Sequence, residues 1–284
     1  MTRTVLFFVL CLVGALQAAD VLRIGVVAPL TGNLAVSGQA LKNAVVMASE
    51  ETPEFKTELF FEDTGSSLSG VNLAARRLLD LNKVDVVFTP YTTEANIVAP
   101  MCDKAKVIHF SNCWNSDVIE RAKLSFSSSV SYKAYSDATA LLLKEKGYTR
   151  VALVWEAGWI EGAQWLIKSC KEKGIAIDAI KFTGDNKDFR TPILRLKETN
   201  PEIWVIYMAY PSCDVFKKQL DELLPGSAVT GYIDIAHDLS LFNGVTYVTE
   251  YPDIPEFFAR YKARFGESAE QTLAPNAYDN YKML

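Results

Sequence analysis

The chain has 284 residues, 49% of them hydrophobic and 22% charged, with a formal net charge of −5. That is the composition of a globular protein with a sizeable core, and its acidity speaks against nucleic acid or an anionic membrane surface as a partner.

The N-terminus carries Arg3, an apolar run from Val5 to Leu16, and the small residues Ala18 and Ala19. This is the pattern of a secretory signal, so residues 1–19 are read as a cleaved signal peptide. Cys11 follows Leu10 rather than a small residue, which argues against a lipoprotein cysteine. The leader is too short for a comfortable membrane span, and no later stretch is apolar enough for one. The remaining 265 residues, from about Asp20, exceed the usual size of a single core, which favours two lobes.

Short apolar runs then recur as predicted strands: Leu22 to Val27, Glu58 to Phe61, Val84 to Thr89, Val107 to Phe110, Val151 to Trp155, Ile175 to Phe182 and Ile203 to Met208. Each is bounded by turn residues and reads as a strand buried on both faces of a parallel sheet. Helical patterns separate them. Val71, Ala74, Ala75, Leu78 and Leu79 make one apolar stripe with Arg76, Arg77 and Asp80 outward, and Phe216, Leu220, Leu223 and Leu224 repeat it. Strand and helix alternating throughout predict an α/β fold of two doubly wound parallel-sheet lobes. The chain is expected to leave the first lobe between the strand-like Leu124 to Val130 and a helix starting near Tyr132. It is expected to return near the strand-like Val245 to Val248, before a helix started by Asp253 and Pro255. The expected domains are 20–130 (lobe 1), 131–249 (lobe 2) and 250–284 (back in lobe 1).

Cys102, Cys113, Cys170 and Cys213 remain after processing, an even number suited to an oxidising compartment. Pairs 102–113 and 170–213, or four buried thiols, both fit. No metal-binding spacing is present, and no cofactor motif. Of two histidines, His109 sits in an apolar strand as a core residue and His237 in the loop Ile233 to Ser240. With no nucleophile elbow, Walker loop or zinc pair, no catalytic set is assembled and an enzyme is not expected.

In open parallel sheets, ligands bind outside the carboxyl ends of the strands, where helix N-termini offer free N–H groups to an anion. Thr89-Pro-Tyr-Thr-Thr-Glu-Ala-Asn96 follows a buried strand and opens a helix, so Thr92 or Thr93 can cap that helix beside a ligand.

Pro29-Leu-Thr-Gly32 with Gly38 and Ala44, Phe61-Glu-Asp63, Glu156-Ala-Gly-Trp-Ile-Glu-Gly162, Asp188-Phe189 before Ile193 and Leu196, and Phe258-x-x-Tyr261-Lys262-x-x-Phe265-Gly266 occur in one order and spacing. In this the chain resembles the type I periplasmic substrate-binding proteins, and within them the leucine/isoleucine/valine-binding branch that serves ABC importers. It departs from them at Asn43 and Ile160, each standing where the family has Gly. The resemblance implies a periplasmic protein without cofactor, with a small-molecule ligand and an ABC permease as partners. It implies a ligand site made of Thr92 and Thr93 against a carboxylate, the Cys113 carbonyl, Asn115, and the aromatic Trp159 and Tyr210. Asp234 is the acid for a ligand ammonium, and Ser37 is a small residue where an aromatic contact can occur. The implied function is capture of a small carboxylate-bearing solute, an aliphatic amino acid first, by hinge closure over the ligand. Aromatic acids, small amides and a sensing role in place of import are the alternatives. Family members run on past the helix equivalent to Ala274 to Leu284, so the chain as given is expected to be marginally stable or to self-associate.

Overall fold

The structure, a computed structural model, describes residues 21–183, 186–209, 211–232, 238–249, 254–266 and 273–284. In chain order the first elements are β1 (Leu22–Ala28), α1 (Ala35–Glu50), β2 (Thr57–Asp63), α2 (Leu68–Arg76) continued by a π-helical turn (Arg77–Asn82), β3 (Val86–Thr89), α3 (Thr92–Ala105), β4 (Ile108–Ser111), α4 (Ser116–Glu120) and β5 (Ser125–Ser127). There follow α5 (Tyr132–Glu145), β6 (Arg150–Glu156), a 3₁₀ turn (Ala157–Trp159), α6 (Ile160–Glu172), β7 (Ala176–Phe182), α7 (Arg190–Lys197), β8 (Ile203–Tyr207), α8 (Ser212–Leu223) and β9 (Val229–Gly231). A 3₁₀ turn (Leu239–Phe242), α9 (Pro255–Phe265) and α10 (Leu273–Lys282) complete the described elements.

These form two compact units. The first holds residues 21–112, Val118–Ser128 and the helices α9 and α10; the second holds Cys113–Asp117 and 129–249. The first unit contains a parallel sheet in the order β2-β1-β3-β4-β5, the second a parallel sheet in the order β7-β6-β8-β9.

Strand alternation explains why each sheet needs helices on both faces. On β1, Ile24, Val26 and Ala28 join a core with α1, α9 and α10, where Leu41, Ala44, Val45, Tyr261, Ala277 and Tyr281 are buried. Val27 points the other way, into a core with Val71, Ala75 and Leu78 of the α2 segment and Val98 and Cys102 of α3. The predicted stripe on α2 is therefore the buried face. Gly25 shares that side because a Cβ there would stand 2.7 Å from Leu78 Cδ1. The second unit repeats the scheme. Ala152, Val154, Trp204 and Ile206 pack against Phe189, Ile193, Phe216 and Leu220, while Val151, Leu153 and Val205 pack against Leu143, Leu166 and Cys170.

The structure corrects the sequence reading at three points. β7 is not buried on both faces: Ala176, Asp178, Ala179 and Lys181 are exposed, because it is an edge strand with one open side. β2, also at an edge, is only half-buried. Val245 to Val248 forms no strand; its backbone is tied down by Val245 N–H donating to Phe242 O, the Thr230 hydroxyl to Thr246 O and the Tyr135 hydroxyl to Val248 O. Of the two alternatives left open for the cysteines, the structure has the second: Cys102, Cys113, Cys170 and Cys213 are all buried free thiols.

Candidate functional site

At the carboxyl end of the first sheet, the loop after β1 is organised by one carboxylate. Asp63 accepts the N–H groups of Leu30 (2.9 Å), Thr31 (3.1 Å) and Gly65 (2.8 Å), and the Thr31 hydroxyl (2.6 Å). Burial opposes its charge, but these bonds together hold its pKa below the usual carboxylate range. Ser37, half-buried in the first turn of α1, donates its N–H to Leu34 O. One residue on, Gly38 lies against the backbone of Pro29.

The segment after β3 turns directly into α3. Its N-cap is Tyr91, in extended conformation at φ −139° and ψ 169°, with no side-chain cap. Thr92 and Thr93 are thus the first two helical residues, not caps, with Thr92 half-buried and Thr93 exposed. The helix boundary falls one residue before the expected one because Tyr91, not a threonine, takes the extended backbone geometry of a cap. Glu94, in the same first turn, is only 4% exposed. Its own backbone N–H donates to its carboxylate, burial raises its pKa, and Oε2 has no hydrogen-bond partner. Sequence reasoning passed over Glu94. The available signal was its place four and eight residues before the buried Val98 and Cys102.

In the second unit, Cys113, Asn115 and Trp159 come together around a group of rings. Trp159 is carried by the 3₁₀ turn after β6 and is 9% exposed. Its ring centroid lies 4.3 Å from that of Tyr232, 5.6 Å from Trp114 and 6.1 Å from Tyr132. Tyr232 in turn stacks on Tyr135 at 3.9 Å and on Trp114 at 6.1 Å. Trp159 is therefore first a packed side chain, and the half-buried Trp114 and Tyr132 cover its flank. The Cys113 thiol donates to Asn115 O at 3.3 Å. Asn115 also reaches Glu161, as does Trp165, while burial and then the Asp117 charge raise the Glu161 pKa. Trp114 escaped the sequence reading although it lies between two of its candidates.

Tyr210 and Asp234 lie outside the described residues, as does His237. Among the described residues no group of three or more His, Cys, Asp or Glu could hold a metal ion, and no helix is long and apolar enough to cross a membrane. A cavity of about 320 Å³ in the second unit, lined by Leu143, Tyr148, Ile203, Lys217 and Val245 among others, contains none of the predicted residues.

A family model described as "Periplasmic binding protein" matches residues 21–284. No match was found among curated protein sequences. Solved structures similar to the chain include a leucine binding protein, LivK, of Thermotoga maritima, with 22% identity, a TM-score of 0.78, and coverage of 92% of this chain and 81% of that one. A solute binding protein of an ABC transporter from Rhodopseudomonas palustris, in complex with p-hydroxybenzoic acid, is 21% identical with a TM-score of 0.80 over 93% of this chain and 80% of that one. LivJ of Streptococcus pneumoniae, in complex with isoleucine, is 16% identical with a TM-score of 0.74 over 93% and 82%. At these identities the likeness is one of fold.

Proposed function

Because the chain belongs to the type I periplasmic binding proteins, a family of transporter solute receptors and not of enzymes, we propose that it captures a small carboxylate-bearing solute for an ABC permease. The leading ligand is an aliphatic amino acid. The observation that carries this reading is the first turn of α3: a 14-residue helix whose N-terminus opens from the carboxyl end of β3, with Thr92 and Thr93 in that turn. Backbone N–H groups pointing out of a helix start and the positive end of the helix dipole favour a carboxylate there. In this proposal Thr92 contacts the carboxylate and Thr93 flanks it, Cys113 and Asn115 offer polar groups, and Ser37 leaves room near α1. Trp159, Tyr210 and Asp234 belong to the face that closes over the ligand. Closure acts as a signal to the permease only as far as the ligand binds the closed state more tightly than the open one. The N-terminal leader fits export to the periplasm.

A second reading, capture of an aromatic acid, is supported by the rings of Trp114, Tyr132, Trp159 and Tyr232. A flat ligand stacking on Trp114 would extend that group. Thermal melting of the mature chain against amino acids, aromatic acids, dicarboxylates and amides separates the two. A ligand bound only by the folded state raises the midpoint. A rise with an aliphatic amino acid that Thr92→Ala abolishes supports the first reading; a rise with benzoates alone supports the second; none, from a folded sample, removes both.

A further inference from the structure

The first turn of α3 holds a charged group that neither the fold nor its packing explains. Glu94 is 96% buried, yet a position facing Val98 and Cys102 along the helix asks for an apolar side chain. In a helix, long side chains lean back toward the N-terminus. Glu94 does so: its carboxylate takes its own backbone N–H, which places it at the helix end that Thr92 and Thr93 open. One carboxylate oxygen is satisfied in this way and Oε2 is left with no partner. A buried carboxyl group with an unmade hydrogen bond is costly in either protonation state, since the anion lacks a donor and the neutral acid lacks an acceptor. Two more buried hydroxyls without a partner lie at the same end of the sheet: Thr64 Oγ1, just after β2, and Ser111 Oγ, at the end of β4. All three lie at the carboxyl end of the first sheet.

We propose that Glu94 is a specificity-determining residue that accepts a hydrogen bond from the ammonium group of an α-amino acid, so that one helix end reads both halves of a zwitterion. The inference rests on the solute-binding reading and deepens it. The ligand carboxylate takes backbone N–H groups of the first turn other than Glu94's own, and the ammonium takes Glu94 Oε2. The ammonium also separates two carboxylates that would otherwise repel each other. This places the anionic recognition of the amino group in the first unit, at a residue distinct from Asp234. An ordered water on Oε2 is the competing account, and it predicts no role in selectivity.

The test is binding of L-leucine, L-phenylalanine and L-glutamate, each beside the acid lacking its amino group: isocaproate, hydrocinnamate and glutarate. Wild type is compared with Glu94→Gln, which keeps shape and removes charge. Wild type should prefer a bound amino acid to its analogue by at least about 30-fold, the low end for a desolvated charge pair. Glu94→Gln should bring that ratio to within about threefold while melting, without ligand, no lower than wild type. An unchanged ratio in the variant overturns the role of Glu94 and leaves carboxylate capture standing. So does a wild type that binds analogue and amino acid equally. A folded wild type that binds none of the six overturns the inference, and the failure then lies with the solute-binding reading.

Discussion

His109 Nε2 lies 2.9 Å from the hydroxyl of Thr89, the residue that ends β3, and the ring's Nδ1 lies 3.0 Å from Ser125 Oγ on β5. One imidazole thus ties together three adjacent strands from a position with no exposure. Burial pushes its pKa down to about 3, and the charge of Asp103 only partly opposes this. In the unfolded chain the same ring titrates near 6.5. Below that pH the unfolded state binds a proton that the folded state refuses. The His109 contribution to stability is therefore intact above about 6.5 and is lost as the pH falls toward 3, by about 1.4 kcal/mol per pH unit. Asp63, with its pKa lowered in the fold, adds to acid destabilisation in the same direction. Urea unfolding between pH 7 and 4 should show a slope that His109→Gln flattens; parallel slopes for the two proteins would refute the assignment.

The four described thiols should be inert in the native protein. Cys102, Cys170 and Cys213 are buried, and burial pushes each thiol up to about 12, while Cys113 is 2% exposed. Thiolate is the reactive form, so both access and ionisation oppose modification. Ellman's reagent is expected to label none of the four at neutral pH until denaturant is added. Fast labelling of any one under native conditions would contradict the packing.

Gly38→Ala is expected to destabilise although it exchanges a poor helix former for the best one. In an exposed helix the change would gain up to about 1 kcal/mol. At this position the new Cβ would stand 2.1 Å from the carbonyl oxygen of Pro29, a backbone atom that cannot rotate away. The first turn of α1 must then shift off the loop that Asp63 organises, costing about 2–3 kcal/mol net. Chemical denaturation with an unchanged m-value measures it; a gain in stability would mean the loop yields freely.

The central strands and the α2 stripe were legible because burial on both faces leaves a continuous apolar run and helices carry a 3.6-residue period. What failed has local causes. Val245 to Val248 has strand composition, but its partners are a hydroxyl on β9, a tyrosine on α5 and its own preceding turn, a tertiary choice that composition cannot carry. The edge position of β7 depends on strand order, which sequence does not print. At the candidate site, a helix opening near Thr92 and Thr93 was legible from the strand-to-helix transition, but not that Tyr91 takes the cap position. Glu94 was not, because an acid in a first helical turn is ordinary there, and only burial of its carboxylate makes it unusual.

The ring group of the second unit yields a prediction that separates packing from recognition. Trp159 is 9% exposed and touches Trp114, Tyr132, Tyr207 and Tyr232, so its removal empties the centre of the group. Trp159→Ala should cost about 3–5 kcal/mol of stability, as for other large buried rings. Trp114 contacts the same group but is only half-buried, so Trp114→Ala should cost clearly less, about 1–2 kcal/mol. If Trp114 also carries an aromatic ligand, its loss should weaken benzoate binding by more than tenfold while the fold stays cooperative. The two variants are to be compared by urea unfolding and, where folded, by equilibrium binding. Equal stability losses would mean that Trp114 is as central to the core as Trp159. A Trp114→Ala protein that binds benzoates as wild type does would show that the exposed flank of these rings serves packing alone.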